Sequence, residues 1–111
     1  MIVSIFKKVT DTTNPFNKSA LYCLDRIKQG KSKELVEQIR TLSKDEQKPL
    51  KAQLPGVCFN GTFIQRSIKG IDKRSGLIVL DFDNMSHQAE AIQFKEQMIT
   101  NEIVFAAWIS P

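Results

Sequence analysis

Cysteine is sparse in this 111-residue chain, histidine occurs once, and no apolar run reaches membrane length. The two cysteines, Cys23 and Cys58, sit in apolar surroundings without CxxC spacing. That argues against a zinc ribbon or a disulfide framework and leaves two buried structural thiols as the simplest reading. The single histidine, His87, falls in the first turn of a predicted helix, where a cap or surface position outweighs a catalytic role. There is no internal repeat and no low-complexity segment. The apolar start, residues 1–6, is followed rather than preceded by Lys7 and Lys8. This is the reverse of a secretory signal, so a cytoplasmic protein is expected.

Charge is present in quantity and unevenly placed. Residues 1–80 hold fifteen Lys/Arg against seven Asp/Glu, a net +8, whereas residues 81–111 hold one Lys and five acids, a net −4. A basic majority beside an acidic edge suits a protein that meets polyanions and holds a cation, and equally suits a soluble protein that binds neither.

Periodicity lays out the elements. Residues 2–9 are rich in branched and aromatic side chains and read as a strand. Residues 11–15 are turn formers. Ala20, Leu21, Leu24 and Ile27 recur at helical spacing and Gly30 follows as a stop, predicting a helix over about 18–29. Leu35, Val36, Ile39 and Leu42 predict a second helix over about 32–42. Ser43 and Glu46 form a candidate capping box for a short third helix, limited by Pro49. The outer faces of these helices are charged, as solvated faces usually are. Residues 57–60 and 62–64 are strand-like around Gly61, as one kinked strand or a tight pair. Residues 66–75 read as a loop. The run Leu77-Ile78-Val79-Leu80 does not alternate, which predicts a central strand over 76–83 with both faces covered. Asn84 or Ser86 would cap a helix over 86–99, and residues 103–109 form another apolar strand in which Trp108 belongs to the core. Patterning alone supports one domain of a two-layer α/β or α+β class.

The stretch "SGLIVLDFDN", residues 75–84, carries the chemistry. On a strand, Asp81 and Asp83 point to the same face with Cα atoms roughly 7 Å apart, while Phe82 points into the core. Two carboxylates so placed repel unless a cation lies between them. Mg²⁺ or Mn²⁺ is the natural candidate, and two such ions can orient a nucleophile and a departing pyrophosphate. The plain reading is a turn that caps the following helix. Just upstream, Arg66, Lys69, Lys73 and Arg74 face only Asp72 in their segment. They form a basic loop suited to a triphosphate or a nucleic-acid backbone, or simply an exposed loop. An apolar strand ending in DxD also opens phosphohydrolases of the haloacid dehalogenase type. Those need a Ser/Thr, a Lys and further acids on later strands, and only 28 residues with one Lys follow Asp83.

Leu54-Pro55, Phe59-Asn60-Gly61-Thr62-Phe63 and Ser75-Gly76-Leu77-Ile78 leading into Asp81-Phe82-Asp83 together resemble the VirE N-terminal-type domain. That domain stands at the front of primase/helicase-like proteins of Bacteroidetes, phages and mobile elements. The ending, Phe105-Ala106-Ala107-Trp108-Ile109-Ser110-Pro111, is similar to a strand that in such proteins runs into a Ser/Gly-rich loop. The family in turn resembles the archaeo-eukaryotic primase–polymerase superfamily. The resemblance implies an α+β fold with a mixed or antiparallel sheet and an RRM-like, split-βαβ core. It implies Asp81 and Asp83 as catalytic metal ligands for nucleotidyl transfer, and Ser110 at the opening of a nucleotide-binding loop. DNA, nucleoside triphosphates and a helicase-like domain are the implied partners. The chain stops at Ser110-Pro111 without the later motifs, so an incomplete primase-like domain, inactive alone, is expected. The alternative is a non-catalytic DNA-binding or protein-docking domain.

Overall fold

The first strand, β1 (Ile2–Phe6), is the most deeply buried part of the chain. Val3 and Ile5 point to one face, where they join Ala20, Cys23 and Phe59 in the hydrophobic core, with Leu24, Val57 and Leu77 packed against it. Ser4 and Phe6 point to the other face and are fully buried too. The computed structural model describes residues 1–83 and 85–109. The chain divides into two compact units, Met1–Val79 and Leu80–Pro111. The class is α+β, with two small antiparallel sheets and four helices among the described residues.

In the first unit β1 is the central strand of a three-stranded sheet, flanked by β2 (Phe16–Ser19) and β3 (Gly56–Cys58). Ile2 pairs with Ser19 and Ile5 with Phe16 on one side; Ser4 pairs with Cys58 and Phe6 with Gly56 on the other. A second sheet joins β4 (Gly61–Phe63) to β5 (Ile71–Arg74). Its register skips Asp72 between Lys73, opposite Thr62, and Ile71, opposite Phe63. The sheets are tied by Ser4. Its hydroxyl donates to Asn17 Oδ1 at 2.7 Å and accepts from the Phe63 N–H at 2.8 Å. A buried hydroxyl is tolerated because both its roles are filled.

The helices follow the expected chemistry. The first, α1 (Ala20–Lys28), is capped by Ser19, whose hydroxyl accepts from the Tyr22 N–H at 3.1 Å. It ends as expected at Gly30, whose φ of 65° only glycine adopts cheaply. The Gly30 N–H bonds the Ile27 carbonyl and the Lys31 N–H reaches the Arg26 carbonyl, the paired closure of a Schellman end. The second, α2 (Lys33–Arg40), buries Ile39 completely. The third, α3 (Lys44–Lys51), carries the capping box of Ser43 and Glu46 and holds Pro49 in its last turn.

Four features depart from the expected layout. Residues 16–19 are a strand, although the spacing predicts a helix from about residue 18, and residues 71–74 are a strand within the segment that reads as a loop. The strand-like segments around Gly61 do not pair with each other: β3 joins β1 and β4 joins β5. Most consequentially, residues 76–83 and 103–109 belong to no strand among the described residues. Leu77 touches the core, but Ile78 is 84% and Leu80 72% exposed, and Ile103 is 90% exposed. The doubly covered strand that the unbroken apolar run suggested is β1 instead. An RRM-like arrangement is compatible with sheets of this size, although the two strands expected to help define it are not formed here.

Among the described residues the second unit contains one helix, α4 (Gln88–Met98). His87 occupies its N-cap without a side-chain cap bond, and the Ser86 N–H is held by Glu90 Oε2 at 3.1 Å. Phe82 meets Phe94 edge to face at 4.9 Å between ring centres. No described residue of this unit is buried, and Trp108, expected in the core, is exposed. No described helix is long and apolar enough to cross a membrane.

Candidate functional site

The basic segment is positioned by backbone geometry in the first unit. After β4 the chain bends through residues 65–70. The Gly70 N–H bonds the Ser67 carbonyl, and the Ile64 N–H returns to the Gly70 carbonyl at 2.9 Å. A side chain at Gly70 would run into the Gln65 carbonyl, and one at Gly61 into the Lys73 carbonyl, so both positions need the bare backbone. Lys73 is fixed by its N–H to Thr62 Oγ1 at 3.2 Å. The strand then ends at Ser75, whose hydroxyl donates to the Phe59 carbonyl and accepts from the Leu77 N–H. Gly76, at φ 85°, follows directly and lets the chain bend away from β5.

Lys69, Lys73 and Arg74 are exposed on this scaffold. Two ion pairs, Lys33 with Glu37 and Lys48 with Asp45, lie on helices at 3.8 Å each, and neither involves these three residues. Arg66 behaves differently. Its guanidinium donates to the Val9 carbonyl and lies 6.0 Å from the centre of the Phe6 ring, while its backbone N–H bonds the Thr12 carbonyl at 2.8 Å. Arg66 therefore pins the β1–β2 loop. It also counteracts the upward push that burial gives the Cys58 thiol, as Arg26 does for Cys23.

Asp81 and Asp83 lie in the second unit, exposed, on a segment outside any strand. The rigid strand end that would hold both carboxylates toward one ion is not formed. Among the described residues no group of three or more His, Cys, Asp or Glu side chains gathers in a metal-binding cluster. Mg²⁺ seeks about six oxygens in near-octahedral order. Two carboxylates on an open segment do not by themselves make that cage. Ser110 lies outside the described residues, as does Asn84.

A cluster that periodicity did not single out sits at the start of α1. The Lys18 ammonium lies 5.3 Å, and the Arg26 guanidinium carbon 5.8 Å, from the centre of the Tyr22 ring. The spacing of Lys18, Tyr22 and Arg26, four residues apart each time, was the available signal. The apolar stripe that marks α1 as a helix lies on another face and hides it.

These features define an α+β protein with a strongly basic first unit and an open acidic second one. The family described as "BT4734-like, N-terminal domain" matches residues 49–111, more than half of the chain, and the chain belongs to it. This corrects the resemblance to VirE N-terminal-type and primase-like domains. The residues that carried that resemblance, 54–111, fall inside the matched span. An apolar run ending in DxD is a short pattern that turn chemistry alone can generate, so it does not discriminate between families. No curated protein and no solved structure gives a match.

Proposed function

We propose that this chain is a non-catalytic nucleic-acid-binding module whose binding surface lies on the first unit, in a cytoplasmic setting. The single observation that carries this reading is charge segregation. Met1–Val79 holds the whole excess of fifteen Lys/Arg over seven Asp/Glu. Within it, Lys69, Lys73 and Arg74 stand exposed on a hairpin braced by backbone bonds and by Thr62. Cations on a stiff support attract a phosphate backbone at little ordering cost and release its condensed counterions. Arg66 belongs to the scaffold of that surface rather than to its face.

The test is fluorescence anisotropy with labelled single-stranded and duplex DNA over a salt series. Binding should weaken steeply with salt. In Lys69→Ala/Lys73→Ala/Arg74→Ala the slope of log K against log salt should fall by about 0.7–0.9 for each phosphate that is no longer neutralised. A wild-type chain that binds neither DNA form at low salt overturns the reading.

The exposure of Asp81 and Asp83 supports a second, narrower reading. The pair would hold Mg²⁺ or Mn²⁺ weakly, with water and the phosphates of a nucleoside triphosphate supplying the other oxygens. Mn²⁺ calorimetry on wild type and on Asp81→Asn/Asp83→Asn, with and without triphosphate, decides it. Heat that disappears in the variant supports the pair as ligands; equal traces remove it.

A further inference from the structure

Residues 16–28, which form β2 and α1, contain Lys18, Arg26 and Lys28 against one acid, Asp25. Two aromatic rings are exposed in the same stretch, Phe16 at 42% and Tyr22 at 39%. Phe16 and Lys18 are two apart on β2 and so share a side of the strand, opposite Ile5 and Val3 respectively. β2 pairs only with β1 among the described strands, so it is an edge strand of its sheet, and Phe16 and Lys18 are exposed there beyond the core residues Val3 and Ile5. From there Lys18 reaches over to Tyr22, and Arg26 approaches the same ring from one helical turn further on. The ring is thus partly exposed with both cations over it, on a helix start locked by the Ser19 cap.

We propose that Tyr22, with Lys18 and Arg26, is a stacking site for an unpaired base of single-stranded nucleic acid, the base displacing the flexible cations from the ring and the cations taking the flanking phosphates. The assignment deepens the nucleic-acid-binding reading and rests on it. It names single strands because a ring on a convex helix surface can reach the face of a base only when that base is unstacked. It names nucleic acid because the cluster offers an aromatic face as well as charge. An acidic peptide would use the charge alone.

Tyr22 is the only tyrosine, so ring-labelled tyrosine gives an NMR signal from this site and no other. Titration with oligothymidylate should move the Tyr22 ring protons upfield, as stacking under a base requires. Tyr22→Leu should weaken oligothymidylate binding about five-fold or more, as loss of one stacked base predicts, while Tyr22→Phe retains it. Duplex affinity should be the same in all three proteins, with circular dichroism verifying the fold. Oligothymidylate that binds with the ring signal unmoved and Tyr22→Leu at wild-type affinity overturns the stacking site but leaves nucleic-acid binding standing. Failure to bind either single strand or duplex overturns both. Polyglutamate that moves the ring signal as oligothymidylate does overturns the assignment in favour of an acidic partner.

Discussion

The two units contain similar apolar material and use it in opposite ways. In the first, five residues of a single strand, Ile2–Phe6, find cover on both faces, and four of them are buried. In the second, Phe82, Ile92, Ile99, Ile103, Phe105 and Trp108 all remain exposed. The difference lies in partners rather than composition. β1 has a strand on each side, the β4 backbone reaching Ser4 on one face and α1 on the other. Residues 103–109 have no ladder among the described residues. A branched, aromatic segment is β-competent, but it becomes a strand only where a neighbour accepts its backbone groups.

Hydrogen exchange would test that contrast most sharply. Amides of β1 should exchange only with global unfolding, and those of residues 78–83 close to the free-chain rate. Comparable protection in both would break the comparison. Next in size, Phe6→Ala should cost about 3–5 kcal/mol in urea unfolding, as for other fully buried aromatics. Phe82→Ala, half exposed against Phe94, should cost under about 1.5 kcal/mol. Ser4→Ala should cost about 1–3 kcal/mol, because it strands the Phe63 N–H and frees Asn17. The thiols sharpen the first unit further. Burial raises both pKa values, and Cys23 is only 4% exposed. The folded chain then resists ionisation that the unfolded chain allows. The thiols' contribution is therefore full below the ordinary cysteine value and is lost as pH rises through the folded one. Urea midpoints should fall from neutral to alkaline pH, less so in Cys23→Ala, and thiol labelling at neutral pH should be slow. The smallest effect is expected at the acids. Asp81→Asn/Asp83→Asn should stay within about 0.5 kcal/mol of wild type, the usual range for exposed substitutions.

Helices were the legible part of this sequence because their signals are local. Ser43 and Glu46 cap α3, and Gly30 stops α1, through bonds that span a few residues. Strands were less legible because pairing is not local. Phe16–Ser19 reads as Phe-Asn-Lys-Ser, with a turn former and a charge inside it, and becomes a strand because Val3 and Ile5 supply the ladder. Ile71–Arg74 is hidden in the same way by Asp72, which the register passes over. At the candidate site, Lys69, Lys73 and Arg74 were found by charge density. Arg66 was grouped with them, but its link to Val9 spans 57 residues and no local pattern could reveal it. The aspartates stand out in the sequence as a pair, but the strand that would scaffold them is not formed.

The bond between Ser4 and Phe63 joins residues 59 apart. A ribosome adding about 5–20 residues per second therefore makes β1 roughly 3–12 seconds before its hydroxyl acceptor has a donor to meet. During that interval the emerging chain can form the β1–β2 hairpin, but an isolated hairpin is marginal in water. β1 is thus made before any of its described partners and is closed over only once Phe63 has emerged. Synthesis speed through residues 20–63 sets how long it stands open to whatever else is in the cell.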